Sequence, residues 1–285
     1  MYPVSDRPVS AGRLRRYPSD ATDTEWALLE PLLPLPACQS PLGGRPEKHP
    51  RRDIVDAIRY LTDNGCKWRA LPAEFPPWKT VHGFFTRWKA AGVVDRIHDS
   101  LREQVRIRAG RNARPSAGSI DSQTVRAAET VSNSSRGYDA GKRINGRKRH
   151  ITVDTMGLPL VVMVSAANLQ DRPAARQLLP LLHHAHPGIR HLWADGGYHG
   201  TLAEWAKTTL GITVEIVNKL AGQTSFVALP RRWVVERTFS WISRARRNVR
   251  DYERLPEHSE AFIHWSMITM MTRRLARQKT QASTT

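Results

Sequence analysis

HLWADGGYHGTLAEWAKTTLGITVEIV, residues 191–217, alternates short apolar runs with glycine-marked turns. His191 to Ala194 is a short apolar run suited to a buried strand, and it stops at the turn formers Asp195-Gly196-Gly197. Leu202 to Leu210 then has the length and pattern of a helix, which Gly211 ends. Val214 to Val217 is a second strand. Strand, helix and strand in close succession read as part of an α/β sheet covered by helices.

Downstream, residues 218–230 read as loop, and Arg231 to Arg247 as a helix. Val235, Phe239, Ile242 and Val249 form its apolar stripe. Glu236 is the only acid in this stretch, set among arginines, and lies on another face with Arg232, Ser240 and Ser243. Such a carboxylate can pair with Arg232 or Arg237, or it can be a ligand within a basic surface. A last helix is expected at about 257–277, followed by a frayed polar tail from 278 to 285.

Upstream, Gly118 to Arg126 is a strand candidate carrying Asp121. Residues 127–149 are small, polar and basic. Ile151 and Val153, the turn at Thr155-Met156-Gly157 and the run Leu160 to Ser165 have a hairpin signature. Asp171 can cap a helix buried through Ala174, Ala175, Leu178, Leu179 and Leu182, which Pro187-Gly188 ends. The C-terminal part, residues 118–277, is therefore expected to be a mixed five-stranded sheet flanked by helices.

Before Arg106 the pattern is helical. Asp20 or Thr22 can cap a first helix, and residues 34–50 are too rich in proline and glycine to be one. Helices are expected at about 52–64, 79–90 and 93–105. Residues 20–105 thus read as a small all-helical module of helix-turn-helix-like type, with Lys79, Arg87 and Lys89 facing outward from the 79–90 helix. Many small helical bundles share this pattern. Residues 1–19 read as a flexible basic arm, and residues 106–117 as a basic linker.

Charge narrows the function. The chain has 44 Lys and Arg against 26 Asp and Glu, a formal charge of +18. An excess of this size favours a polyanionic partner, most commonly nucleic acid, though an anionic membrane or a ribosome would also suit. No apolar run approaches the length of a membrane span, and the N-terminus has no apolar signal core. Cys38 and Cys66 form neither a disulfide framework nor a zinc motif, which points to a reducing, cytoplasmic setting.

Asp121, Asp195 and Glu236 fall on a strand, at a strand end and on the helix after the last strand. Ends of strands are where an α/β fold gathers ligands. Three carboxylates brought together there need cations, and magnesium, which prefers oxygen ligands, suits a phosphate-binding chain. Each acid also has a plain structural reading: Asp121-Ser122 as an Asx turn, Asp195-Gly196-Gly197 as a turn, and Glu236 as a salt-bridge partner. Asp154, near the hairpin turn, reads as structural.

Three segments carry a resemblance: Gly118-Ser-Ile-Asp121-Ser-Gln-Thr-Val-Arg126, Leu192-Trp-Ala-Asp195-Gly-Gly-Tyr198-His-Gly and Arg232-Trp-Val-Val-Glu236-Arg-Thr-Phe-Ser-Trp241. Together with the basic approach to His150 and the segment Trp26 to Trp88, they resemble the bacterial insertion-sequence transposases of the DDE class. The resemblance spans roughly residues 20 to 275 and belongs to a short, single-frame subgroup. It implies an RNase H-like catalytic fold with Asp121, Asp195 and Glu236 as the catalytic and metal-binding acids. It further implies two Mg2+ ions per site (Mn2+ as a substitute) and cleavage at the ends of an insertion sequence. Transfer of the 3′-hydroxyl to target DNA would follow. The acid spacings, 74 and 41 residues, leave no room for a large insertion before the glutamate. The family often has a tyrosine and a lysine where this chain has Leu229 and Ser243.

On the same resemblance, double-stranded DNA is the partner, at both terminal inverted repeats and target. Lys142, Arg143, Arg147, Lys148, Arg149, Arg232, Arg237, Arg244, Arg246 and Arg247 are expected on the phosphate backbone, and the 79–90 helix on the bases. A homodimer or larger assembly, nucleoid-associated, follows from the need to join two ends. A metal-dependent nuclease that does not transpose, and an inactive DNA-binding remnant, are the competing readings.

Overall fold

The computed structural model describes residues 15–217, except 40 and 42, and residues 233–282. Four helices come first: α1 (Asp23–Leu29), α2 (Arg51–Asn64), α3 (Trp78–Ala90) and α4 (Val93–Arg108). Thr22 caps α1, its hydroxyl accepting the Glu25 N–H at 3.2 Å, as a side-chain oxygen at an N-cap does. Gly65, at φ 69°, ends α2 in the left-handed conformation that costs glycine least.

Among the described residues the sheet has six strands rather than five: β1 (Ala117–Arg126), β2 (Gly137–Asp139), β3 (Ile144–Asp154), β4 (Pro159–Ala166), β5 (His191–Ala194) and β6 (Thr213–Ile216). Their order is β2-β3-β1-β5-β6, with β4 also on β3. β1 runs antiparallel to β3 and parallel to β5, and β5 is parallel to β6. Helices α5 (Asp171–Ala185), α6 (Thr201–Leu210), α7 (Trp233–Ser243) and α8 (Pro256–Ala282) cover it. The fold is the expected one, a helical subdomain followed by a mixed sheet flanked by helices, consistent with an RNase H-like catalytic fold.

Alternation along the strands sorts the two faces. Ile120, Leu192, Ala194 and Val214 pack on Leu178, Leu179 and Leu182 of α5 and Leu202 and Ala206 of α6. On the other face, Ile151, Val153, Val162 and Val164 meet Val235, Phe239 and Ile242 of α7. That core continues through Phe262, Trp265 and Ile268 of α8 into Ile54, Ile58, Phe85 and Leu101 of the first four helices. Helix α8 is thus shared by the sheet and the helical subdomain. Trp265 is fully buried at this junction, and burying a side chain of that size stabilises by roughly 2–3 kcal/mol.

Several boundaries differ from expectation. β3 begins at Ile144, so Arg147, Lys148 and Arg149 lie within a strand and not in a polar loop; they pair with Val125, Thr124 and Gln123 of β1. α4 runs to Arg108 because Arg106 is held by the buried carboxylate of Asp154 at 2.6 Å. Asp154 also accepts the N–H groups of Met156 and Leu158 at 2.8 and 2.9 Å, the structural role expected of it. α7 stops at Ser243, whose hydroxyl donates back to the Phe239 carbonyl at 2.8 Å. Val249 therefore leaves the expected stripe and is 61% exposed. α8 continues to Ala282, into the segment expected as tail. At the other end the expected arm is already packed at Tyr17, which stacks on Phe75 at 5.3 Å. No helix among the described residues is long and apolar enough to cross a membrane.

Candidate active site

Asp121 and Asp195 are related by the sheet register. In the parallel pair β1–β5, residue 117 lies beside 191, 118 beside 192 and 119 beside 193. The offset is the 74 residues that separate the two aspartates. Asp195 continues β5 in an extended conformation, φ −85° and ψ 178°. Carried two residues on, the register sets Asp195 level with Asp121 on the neighbouring strand. Asp121 alternates with Ile120, which faces α5 and α6, and pairs with Ile151, which faces α7, so it belongs to the α7 side of the sheet; Asp195 stands one residue beyond β5.

Each aspartate is fixed by backbone. Oδ1 of Asp121 accepts the Ser122 N–H at 2.7 Å, and Oδ1 of Asp195 accepts the Gly197 N–H at 2.9 Å. A side chain in the turn after Asp195 would crowd that carboxylate. A Cβ at Gly197 would lie 3.0 Å from Asp195 Oδ1 and 3.6 Å from Asp171 Oδ2.

Glu236 is exposed, in the first turn of α7. Val235, Phe239 and Ile242 bury one stripe of the helix against the sheet at β1 and β3. On one flank of that stripe the Thr238 hydroxyl donates to the Gly157 carbonyl at 2.6 Å. Arg237 Nη2 donates to the Met156 carbonyl at 2.8 Å. These contacts fasten α7 to the β3–β4 turn. At 100° per residue, Glu236 falls on the opposite flank, on a helix that lies against both β1 and β3. Arg232 lies outside the described residues. Among the described residues, no three His, Cys, Asp or Glu side chains form a group that could hold a metal ion.

A polar network on the opposite face was not foreseen. Asp171 accepts the Ser122 hydroxyl at 2.7 Å, and its Oδ1 is 3.4 Å from Lys148 Nζ. Lys148 also reaches Asp139, at 3.8 Å, which accepts the Thr124 hydroxyl at 2.5 Å. Burial works to raise the Asp139 carboxyl, but the Thr124 hydrogen bond, the Lys142 N–H and the Lys148 charge hold it below its usual range. Asp171 is thus not the cap of α5; Gln170 holds that position, and Asp171 ties the helix to β1 and β3. The signal lay in the polar residues at alternate positions, Ser122 and Thr124 on one strand and Lys148 and His150 on its partner.

The basic residues divide sharply. Arg147 is fully buried; it donates to Asp251 Oδ1 at 3.2 Å and to the carbonyls of Glu253 and Arg254 at 2.7 and 3.0 Å. Arg149 is buried with its guanidinium on the Asn248 carbonyl at 2.7 Å, and burial lowers its pKa to about 10. Arg247 is held by Glu253 at 2.7 Å and by the Cys66 carbonyl at 2.7 Å. Lys148 is nearly buried between Asp139 and Asp171. These four are corrected from phosphate contacts to internal ones: their charges have partners inside the protein and do not face a duplex. Lys89 is half-buried beside Asp95 and Glu260. Arg237 is half-buried, stacked over Trp233 and Trp241 at 4.3 and 4.6 Å from the ring centres. Lys79, Arg87, Lys142, Arg143, Arg244 and Arg246 are exposed.

Residues 112–271, more than half of the chain, match the family described as "Transposase DDE domain". Residues 21–98 match a second, described as "Putative transposase of IS4/5 family". The chain is 33% identical over 117 residues to the "Insertion element IS402 uncharacterized 16.2 kDa protein" of Burkholderia cepacia, covering 37% of this chain and 71% of that protein. It is 34% identical over 129 residues to the "Putative transposase for insertion sequence element IS402" of the same organism, covering 41% of this chain and 59% of that protein. No solved structure matches.

Proposed function

This chain belongs to the transposase DDE domain family, and on that premise we propose that it cuts DNA at insertion-sequence ends and transfers the freed 3′-hydroxyl to target DNA. What supports the reading is the shared level of Asp121 and Asp195 on adjacent parallel strands, with Glu236 on the helix laid against the same side of the sheet. Their donor set is all carboxylate oxygen, with no sulfur or imidazole, which suits a hard divalent cation such as Mg2+, or Mn2+ in its place. Asp121 and Asp195 would hold or bridge two such ions and Glu236 would complete one position. When bound, the cations neutralise the carboxylates and stabilise the charge that develops on the attacking and leaving oxygens.

The chemistry has two steps. Hydrolysis of a phosphodiester at the element end leaves a 3′-hydroxyl. That hydroxyl then displaces one oxygen from a target phosphodiester, so one bond forms as another breaks and no external energy source is needed. The protein's part is alignment: Asx-type hydrogen bonds hold Asp121 and Asp195 to their own backbones, and the Thr238–Gly157 contact fixes the helix bearing Glu236. Lys142, Arg143, Arg244 and Arg246 would contact backbone phosphates without regard to sequence. Lys79 and Arg87 on α3 would face the duplex, with two or more copies of the chain bringing two ends together.

The test is joining in vitro. Purified protein with Mg2+ and short duplexes bearing the inverted repeats that flank its reading frame is expected to join a 3′ end to a second duplex. Cleavage without joining would reduce the chain to a nuclease, and binding without cleavage to an inactive DNA-binding remnant.

A further inference from the structure

A cavity of about 570 Å³ lies where α2, the end of α7 and α8 meet. Among the described residues, five arginines line it, Arg59, Arg244, Arg273, Arg274 and Arg277, against one carboxylate, Asp63. Trp241 and Met270 add apolar wall. On α7, Trp241 lies on the flank of Thr238 and not on that of Glu236, so the cavity is separate from the three acids.

Arg59 marks this as a built site. Its side chain is fully buried, and one end of the guanidinium donates to Glu25 Oε2 at 2.5 Å. Its Nε and Nη1 are buried in the wall with no hydrogen-bond partner among the described residues. Two N–H-bearing nitrogens of a buried cation left unpaired forgo the hydrogen bonds that water would have given them. Arg273 adds to the cost: burial lowers its pKa, the charge of Arg59 lowers it further, and Glu25 and Asp63 offset only part of this. Like charges converging on one space, with spare donors, are what an anion would stabilise. The planar fork of arginine matches phosphate oxygens two at a time.

We propose that this cavity is a phosphate-binding site, with Arg59 as its buried anchor and Arg274 and Arg277 as its outer contacts. The space exceeds one phosphate and lies within the ~300–1,000 Å³ usual for small-ligand pockets. It would admit a phosphate with its sugar, and Trp241 offers a face for the sugar. A phosphate of the DNA backbone and free inorganic phosphate share this chemistry. The site does not depend on the cutting and joining proposed above, because its test reads binding alone.

The experiment is calorimetric titration of the full chain with inorganic phosphate, against chloride at matched ionic strength. Saturable binding to phosphate and not chloride is expected. The pair Arg274→Gln/Arg277→Gln, the first half-buried and the second exposed, is expected to weaken it at least tenfold without shifting the melting temperature. Arg59→Lys, which keeps a charge for Glu25 but loses the spare nitrogens, is expected to weaken it similarly. A duplex arm identifies the source. If phosphate competes with a short duplex, and the double variant lowers the salt dependence of duplex binding, the site takes backbone phosphate. If duplex binding is untouched while phosphate binding is lost, the site takes the free ion. Phosphate that binds no better than chloride, or equally well to both variants, overturns the proposal.

Discussion

Two basic runs look alike in the sequence and do opposite things in the structure. Arg147-Lys148-Arg149 sits in the middle of β3, and all three side chains are buried or nearly so. Arg244-Ala245-Arg246-Arg247 follows α7, and its first and third residues are exposed. The difference lies in what each run meets. Arg147 finds Asp251, Lys148 finds Asp139 and Asp171, and Arg149 finds the Asn248 carbonyl. Arg247 belongs with them, through Glu253. A positive run is a DNA surface only where no acid or carbonyl has already taken it. Part of the +18 charge is therefore internal wiring, tying β3 to the segment between α7 and α8.

The comparison predicts its largest contrast in stability. Arg147→Met leaves Asp251 buried without its cation, which should cost about 3–5 kcal/mol and leave little folded protein at 37 °C in a thermal melt. Arg246→Ala, on the exposed run, should stay within about 0.5 kcal/mol of wild type. Equal effects from the two variants would erase the distinction.

Acid should expose the same buried strand. His150 lies beside Arg149, and burial lowers its pKa to about 4; burial does the same to His98 in α4. An unfolded histidine near 6.5 takes up protons that these two refuse, so stability falls as pH drops from 6.5 towards 4. The slope approaches roughly 1 kcal/mol per histidine per pH unit. His82, His186 and His258, also lowered by burial, act in the same direction, while Glu253 and Glu260, raised by burial, oppose it. The melting temperature should fall between pH 7 and pH 5; a flat or rising profile would contradict the burial of β3.

The smallest effect sharpens the exposed side. If Arg246 contacts phosphate, Arg246→Ala should lower the slope of log affinity against log salt by about 0.9, measured by fluorescence anisotropy on a duplex. An unchanged slope would take Arg246 off the DNA path.

Much of this architecture was legible in the residues, and the reasons are specific. β5, α6 and β6 could be read because Gly196-Gly197 and Gly211 punctuate short apolar runs. Asp121 and Asp195 could be named because they stand at strand positions with turn residues beside them, though their common level needed the register of β1 on β5. The start of β3 is hidden in the sequence because Arg147 and Arg149 look like loop residues until Asp251 and Asn248 are brought to them from about a hundred residues away. Asp171 reads as a cap in the sequence because its partners, Ser122 and Lys148, lie on distant strands. The helical subdomain's dependence on α8 was hidden for a similar reason: the two are joined by contacts across most of the chain, and no local pattern carries them.

The central claim is that Asp121, Asp195 and Glu236 act as one unit in cutting and joining DNA. The most direct measurement is Mg2+-dependent strand joining by Glu236→Gln, alongside duplex binding by the same preparation. The account predicts that joining falls below detection while the duplex is bound as tightly as by wild type. Joining at the wild-type rate would contradict it.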